Sequence, residues 1–200
     1  MKRAAIAGFA AGAAMMIGGA LGAVSDIDPK PAPDTDVEVM NPMIAGQAML
    51  PDRAIMENIS ASPMHTTFVN DLKDTGVAAT LKPGGQYTVF APTNAAFAAA
   101  GRQSKAGLAR RMRYMIVPGR YDSRALLRMI TEEGGSMRLR TVEGSDVTAR
   151  MNGPTNIVLM DERGHTADIT IYDVRDKNGI IHVVDRVLEP GVSTREVASN

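Results

Sequence analysis

Apolar positions along the chain keep a helical rhythm as far as Gly135 and a period of two after it. Asp52 stands ahead of Ile55, Met56 and Ile59 and is placed to cap a helix that carries them. Met64, Phe68 and Leu72 recur every four residues with Val69 beside them, which predicts a second helix stopped at Gly76. Pro83-Gly84-Gly85 then turns the chain into the β-branched and aromatic run Tyr87-Thr88-Val89-Phe90, a short strand ended by Pro92. Thr93 follows in position to cap a helix over 94–100, with Gly101 as its stop. A longer helix over about 105–115 places Leu108, Met112 and Met115 on one face. Pro118-Gly119 breaks the chain, and Ser123 opens a last helix holding Leu126, Leu127 and Ile130.

Beyond Gly135, Met137, Leu139 and Thr141 alternate with arginines, and Val147, Ala149 and Met151 alternate with polar residues. Ile157 to Met160 and Ile169 to Val174 read as further strands, and Asp176-Lys177-Asn178-Gly179 as a hairpin-type turn. Ile180 to Leu188 is a long, nearly all-apolar strand ended by Pro190, with both faces covered. Helices followed by antiparallel strands predict an α+β fold with a β-sandwich-like core flanked by several helices in the first half. No repeat is visible, so one domain is expected.

The ends read differently. Lys2 and Arg3 precede an uncharged run from Ala4 to Val24, followed by Asp26, which is the layout of a secretory signal over residues 1–25. Cleavage after Gly22 or after Ser25 fits equally, with small residues upstream of each. The alternative is an uncleaved anchor, because the run is long enough for a bilayer of about 30 Å. Its Ala and Gly content, however, gains little in hydrocarbon. Residues 26–43 form a Pro- and Asp-rich spacer, the domain occupies 44–190, and 191–200 is a tail. A net charge of zero gives no global field to draw in nucleic acid, and the absence of cysteine excludes disulfides, thiolate metal sites and a catalytic thiol.

Candidate chemistry is sparse. His182 and Asp185 look like a dyad, but three residues apart on a strand they point to opposite faces. Two buried structural groups, each needing a hydrogen-bond partner, is the better reading. Three histidines at unrelated positions do not make a metal site, and Asp161, Glu162 and Asp168 around Gly164 match no calcium-ligand pattern and read as a solvated turn. The triplet Asn58-Ile59-Ser60 fits a glycosylation acceptor by chance. No phosphate loop or nucleophile elbow is present. No catalytic, cofactor or metal residue is therefore assigned.

Charge is nonetheless segregated. Residues 102–128 hold eight Arg or Lys against the single acid Asp122, in a chain whose net charge is zero. The plain reading is a solvated helix face whose arginine stems cover apolar surface. The functional reading is a docking surface for an anionic partner, with Arg110, Arg111, Arg113 and Tyr114 as candidate contacts. On that reading, reversing the charge of the three arginines weakens binding and leaves folding intact.

Two segments carry a family resemblance: Thr88-Val89-Phe90-Ala91-Pro92-Thr93-Asn94-Ala95-Ala96-Phe97, and the run from Asn178 to Pro190 with His182 and Asp185 at its centre. Together they resemble the two signature blocks of the fasciclin (FAS1) domain, in order and at a plausible separation. Met115-Ile116-Val117-Pro118-Gly119-Arg120-Tyr121 is similar to the segment between the blocks, and Gly46 to Pro51 to the lead-in of exported bacterial single-domain members. The resemblance implies a mainly structural role for Thr93, Asn94, Phe97, His182 and Asp185. Some animal members carry a Tyr-His pair associated with integrin binding. Here it is Tyr114-Met115, so that property does not transfer.

The implied protein is a non-enzymatic binding or adhesion module of the cell envelope, periplasmic or at the cell surface after signal cleavage, with no cofactor. Its expected partners are an envelope or extracellular protein, an anionic polysaccharide or an anionic lipid surface, and not nucleic acid. The alternatives are an enzyme or accessory factor acting on an envelope polymer, and a small-ligand carrier.

Overall fold

In the computed structural model, which describes residues 41–101 and 103–191, the change of rhythm near Gly135 divides a helix-rich half from a strand-rich half. The described α-helices are α1 (Ile55–Ala61), α2 (Thr66–Asp74), α3 (Asn94–Ala99), α4 (Lys105–Tyr114) and α5 (Ser123–Glu132). The described strands are β1 (Tyr87–Pro92), β2 (Ile116–Pro118), β3 (Ser136–Arg140), β4 (Asp146–Asn152), β5 (Asn156–Met160), β6 (Thr166–Asp176) and β7 (Gly179–Val184). They pair in the order β2-β1-β7-β6-β5-β4-β3. The ends of that order approach each other, for the Val142 N–H donates to the Ile116 carbonyl at 2.8 Å just beyond β3. The sheet thus wraps a shared core, with α1 against β7, α3 against β1, and α5 against β3 and β4. This is the α+β, sandwich-like architecture expected. Residues 1–40, where the signal and most of the spacer are read, and the tail from 192 lie outside the described residues.

The pairing of β1 with β7 is parallel, with Val89 opposite Ile181 and Phe90 opposite His182, whereas the other described pairs are antiparallel. Parallel central strands are covered on both faces and therefore apolar throughout. All six residues of β7 are buried accordingly. Gly179 opens β7 because a Cβ there would lie 1.9 Å from the Tyr87 carbonyl oxygen, so the close approach of β1 requires glycine.

Helix and strand ends follow the sequence with two corrections. Gly76 stops α2 at a left-handed φ of 74°, and Thr93 Oγ caps α3 by accepting the Ala96 N–H at 3.2 Å. Asp52 does not cap α1. It sits in an exposed turn two residues too early, and the free donors are met by Glu57, which accepts the Ala54 N–H at 2.7 Å, and by Asn178, whose Oδ1 accepts the Ile55 N–H at 2.9 Å. The last strand also ends early, at Val184 rather than Leu188. Asp185 is turned out to solvent, its carboxylate and N–H both bound to the backbone of Asp168, while Val187 and Leu188 remain buried without strand pairing. Asp185 is thus exposed, contrary to the sequence expectation.

Strand β6 carries a bulge between Ile171 and Val174, with Asp173 at a positive φ of 58°. His182 holds it. The Asp173 N–H reaches His182 Nδ1 at 3.3 Å and Nε2 donates to the Tyr121 carbonyl at 2.8 Å, which assigns a neutral ring with its proton on Nε2. Complete burial pushes the His182 pKa down and favours that form. Phe90 stacks on the ring at 5.8 Å and Tyr172 meets it edge-on at 6.0 Å. The bulge in turn aims Asp173 at α5, where its carboxylate accepts the Ser123 N–H at 2.7 Å and the Ser123 hydroxyl at 2.5 Å.

At the C-terminal end of β6, just past the bulge, Asn58 is fully buried and spans Leu50 and Asp176, donating to Asp176 Oδ1 at 2.6 Å and to the Leu50 carbonyl at 2.7 Å. The Asn58 side chain is therefore out of reach of glycosylation. Asp176 Oδ2 is buried without a hydrogen-bond partner among the described residues. Burial pushes the Asp176 pKa from 3.8 up to about 7, with Asn58 and Arg120 opposing it only in part. The folded state thus holds this proton more tightly than the unfolded chain. The resulting stability is fully present below the ordinary carboxylate pKa and is lost as pH rises through about 7. Urea titrations across this range are expected to show wild type losing stability relative to Asp176→Asn, which cannot ionise. Parallel pH profiles would overturn the assignment.

Candidate functional site

The chain beyond β7 is fastened to the turn between β5 and β6. Asp161 organises the contact and is only 4% exposed. Its Oδ1 accepts the N–H groups of Arg163 at 2.9 Å and His165 at 2.8 Å, and its Oδ2 accepts the Glu189 N–H at 2.9 Å and lies 3.1 Å from His165 Nδ1. Arg163 Nε donates to the Pro190 carbonyl at 3.1 Å, and Glu162 accepts the Gly191 N–H at 3.0 Å. The sequence reading of Asp161 as part of a solvated turn is corrected here: a carboxylate receiving three backbone donors is a buried brace. No His, Cys, Asp and Glu cluster able to hold a metal occurs among the described residues.

Between this brace and the C-terminal end of α3 lies a polar cleft of about 490 Å³. Ala96, Ala99 and Gly101 form one wall, Arg163, His165 and Arg186 the other, with Arg111 and Glu189 between them. Both signature segments contribute, because β1 and β7 run parallel and end together beneath it. Arg111 is 3% exposed, pairs with Glu189 and points its terminal nitrogens at the Gly101 carbonyl, 3.4 Å away. Its Nε is buried without a partner among the described residues. Glu189 is thereby neutralised, and Asp185 spends one carboxylate oxygen on the Asp168 N–H. The exposed cations Arg163 and Arg186 are left at the rim, and Arg186 has no partner among the described residues. Among the described residues, no hydroxyl or thiol side chain lines this cleft.

The residues singled out in the sequence fall into separate places. Asn94 braces α3 to α2, donating to the Pro63 carbonyl at 3.0 Å and accepting the Thr67 N–H at 3.0 Å. Phe97 packs on Phe68 at 6.1 Å. With Thr93 and His182 they act within the fold, while Asp185 reaches the cleft.

The basic segment does not form one surface. Tyr114 is fully buried, its hydroxyl donating to the Asp146 carbonyl at 2.7 Å, and burial pushes its phenol pKa up. Arg111 is in the cleft floor, and Arg110 turns to Glu143 at 2.6 Å. Arg113 alone of the three arginines is exposed. Tyr114 and Arg111 are therefore corrected from docking contacts to internal residues, because α4 packs that side against the core. Arg163 and Arg186 were missed. Their spacing in the sequence carries no signal, since only the Asp161 brace brings them together.

Comparison with known proteins agrees with this geometry. The Fasciclin domain family model matches residues 63–190. An uncharacterized protein of Synechocystis sp., sll1735, is 29% identical over 147 residues, covering 68% of this chain and 98% of its own. Protein sll1483 of the same organism is 28% identical over 146 residues, covering 68% of this chain and 73% of its own. Among solved structures, the FAS1 domain pair of the insect cell adhesion molecule Fasciclin I superposes with a TM-score of 0.55 at 18% identity, over 74% of this chain. This chain spans about half of that pair, 53% of its length, and the likeness is one of fold. With the family model matching most of the chain and both signature segments meeting in one cleft, the protein belongs to the fasciclin (FAS1) family.

Proposed function

We propose that this protein is an exported FAS1 binding module that holds an anionic polymer of the cell envelope, through the cleft between α3 and the Asp161 brace, with no chemistry of its own. One observation carries the reading. The cleft is built from both signature segments, of its two acids Glu189 is neutralised by Arg111 and Asp185 accepts the Asp168 N–H, and Arg163 and Arg186 stand at its rim. An acidic polysaccharide offers repeated carboxylates to such a rim, and arginine binds carboxylates in a bidentate manner. The adhesion role of the insect protein and the signal layout of residues 1–25 support an extracytoplasmic binding task. An enzyme acting on the polymer would have to work through the carboxylates of Asp185 and Glu189, and that of Glu189 is tied to Arg111.

Binding of polygalacturonate, measured against neutral dextran, tests this. Wild type is expected to bind the acidic polymer alone and to weaken as salt rises, since screening acts over about 10 Å at 0.1 M. The double variant Arg163→Ala, Arg186→Ala is expected to lose about tenfold in affinity, while Arg113→Glu, away from the cleft, binds as wild type. Equal binding by wild type and double variant would refute the cleft as the site.

A further inference from the structure

A second concavity, of about 320 Å³, lies on the far side of the β6 bulge and differs in chemistry from the cleft. It is bounded by α5, the β4–β5 turn and β6, and Leu127, Met151, Pro154, Ile157 and Tyr172 line it. Leu127 is 44% exposed, although the helical rhythm grouped it with Leu126 and Ile130, both of which are fully buried. It lies beside the core-facing stripe of α5 and turns to the groove instead. Of the polar side chains there, those of Tyr172 and Ser123 are already committed, and Thr155 is exposed. Tyr172 OH accepts the Ile157 N–H at 2.9 Å and donates to Asn156 at 3.0 Å, and the Ser123 hydroxyl is held by Asp173. Arg124 is the one charged side chain in the described lining. It lines the same groove, is exposed, and has no hydrogen-bond or ion-pair partner among the described residues.

An apolar trough closed by one unpaired cation is complementary to an apolar chain ending in one anion. The geometry points to this groove as a binding site for a single-chain fatty carboxylate, its hydrocarbon along Leu127, Met151 and Ile157 and its carboxylate on Arg124. The volume is at the low end of small-molecule sites, roughly 300–1,000 Å³, and suits one chain rather than a bulky ring system. The bulge makes the site possible. It sets Tyr172 as the wall and ties Asp173 to the first residue of α5, which fixes Arg124 one residue further on.

Isothermal titration with dodecanoate below its micellar concentration tests the assignment, with dodecyltrimethylammonium as the charge-reversed probe. Wild type is expected to bind dodecanoate saturably at one site and to prefer it over the ammonium. Arg124→Glu is expected to weaken dodecanoate by about tenfold and to reverse the preference. Leu127→Gln is expected to weaken both probes alike. Both positions are exposed, and thermal melts of the variants should match wild type. Absence of saturable dodecanoate binding, equal affinity of wild type for the two probes, or unchanged binding in both variants would each overturn the proposal. The polysaccharide cleft uses none of these residues, so its assay is unaffected by either outcome.

Discussion

Val183→Asp is expected to leave the domain unfolded. Val183 is 0% exposed and pairs with Ala91 of β1 on one side and Ile171 of β6 on the other, so a carboxylate there meets neither water nor a cation. Burying an unpaired charge costs several kcal/mol even after relaxation, comparable with the whole stability of an ordinary domain, about 5–15 kcal/mol. Circular dichroism and urea melts of Val183→Asp should show no cooperative transition, and Ile181→Asp should behave alike. A transition near that of wild type would mean that β7 does not occupy the centre of the sheet.

Arg111→Glu is expected to be the most damaging change in the basic segment, opposite to what a surface arginine would show. The guanidinium and the Glu189 carboxylate are both largely withdrawn from water, at 4% and 13% side-chain exposure. Removing one partner of a buried ion pair costs about 3–5 kcal/mol, and reversing its sign sets two carboxylates against each other. Arg113→Glu, two residues further along α4 and exposed, is expected to stay within about 0.5 kcal/mol of wild type. Arg111→Met, which removes the charge but keeps volume, should fall between them if the loss comes from stranding Glu189. Equal midpoints for Arg111→Glu and Arg113→Glu in urea would return Arg111 to the surface.

The same contrast shows how far the sequence could be read. Helix and strand positions were legible because their signals are local. Thr93 caps α3 through its own next turn, Gly76 and Gly179 mark conformations or approaches that other residues do not fit, and the alternation of Met137 and Leu139 marks one buried face of β3. The apolar run from Ile180 correctly announced a strand covered on both sides. Its end was not legible, since Val187 and Leu188 are as apolar as β7 yet buried by a different route, after Asp185 binds the backbone of Asp168.

Two separated motifs were enough to identify the family, and the change of apolar period at Gly135 to identify the α+β class. Where the arginines go depends on contacts between distant segments. Arg110, Arg111 and Arg113 are neighbours on one helix, but their acids, Glu143 and Glu189, come from distant chain and leave only Arg113 unclaimed. Long-range pairing likewise assigned the cap of α1 to Asn178 instead of Asp52 and gathered Arg163 and Arg186 around one cleft. The difference lies in the range of the interactions. Backbone preferences and apolar periodicity act over a few residues and are written locally, whereas an ion pair, a cap or a cleft depends on which segments the parallel β1–β7 pairing and the β6 bulge bring within hydrogen-bonding distance.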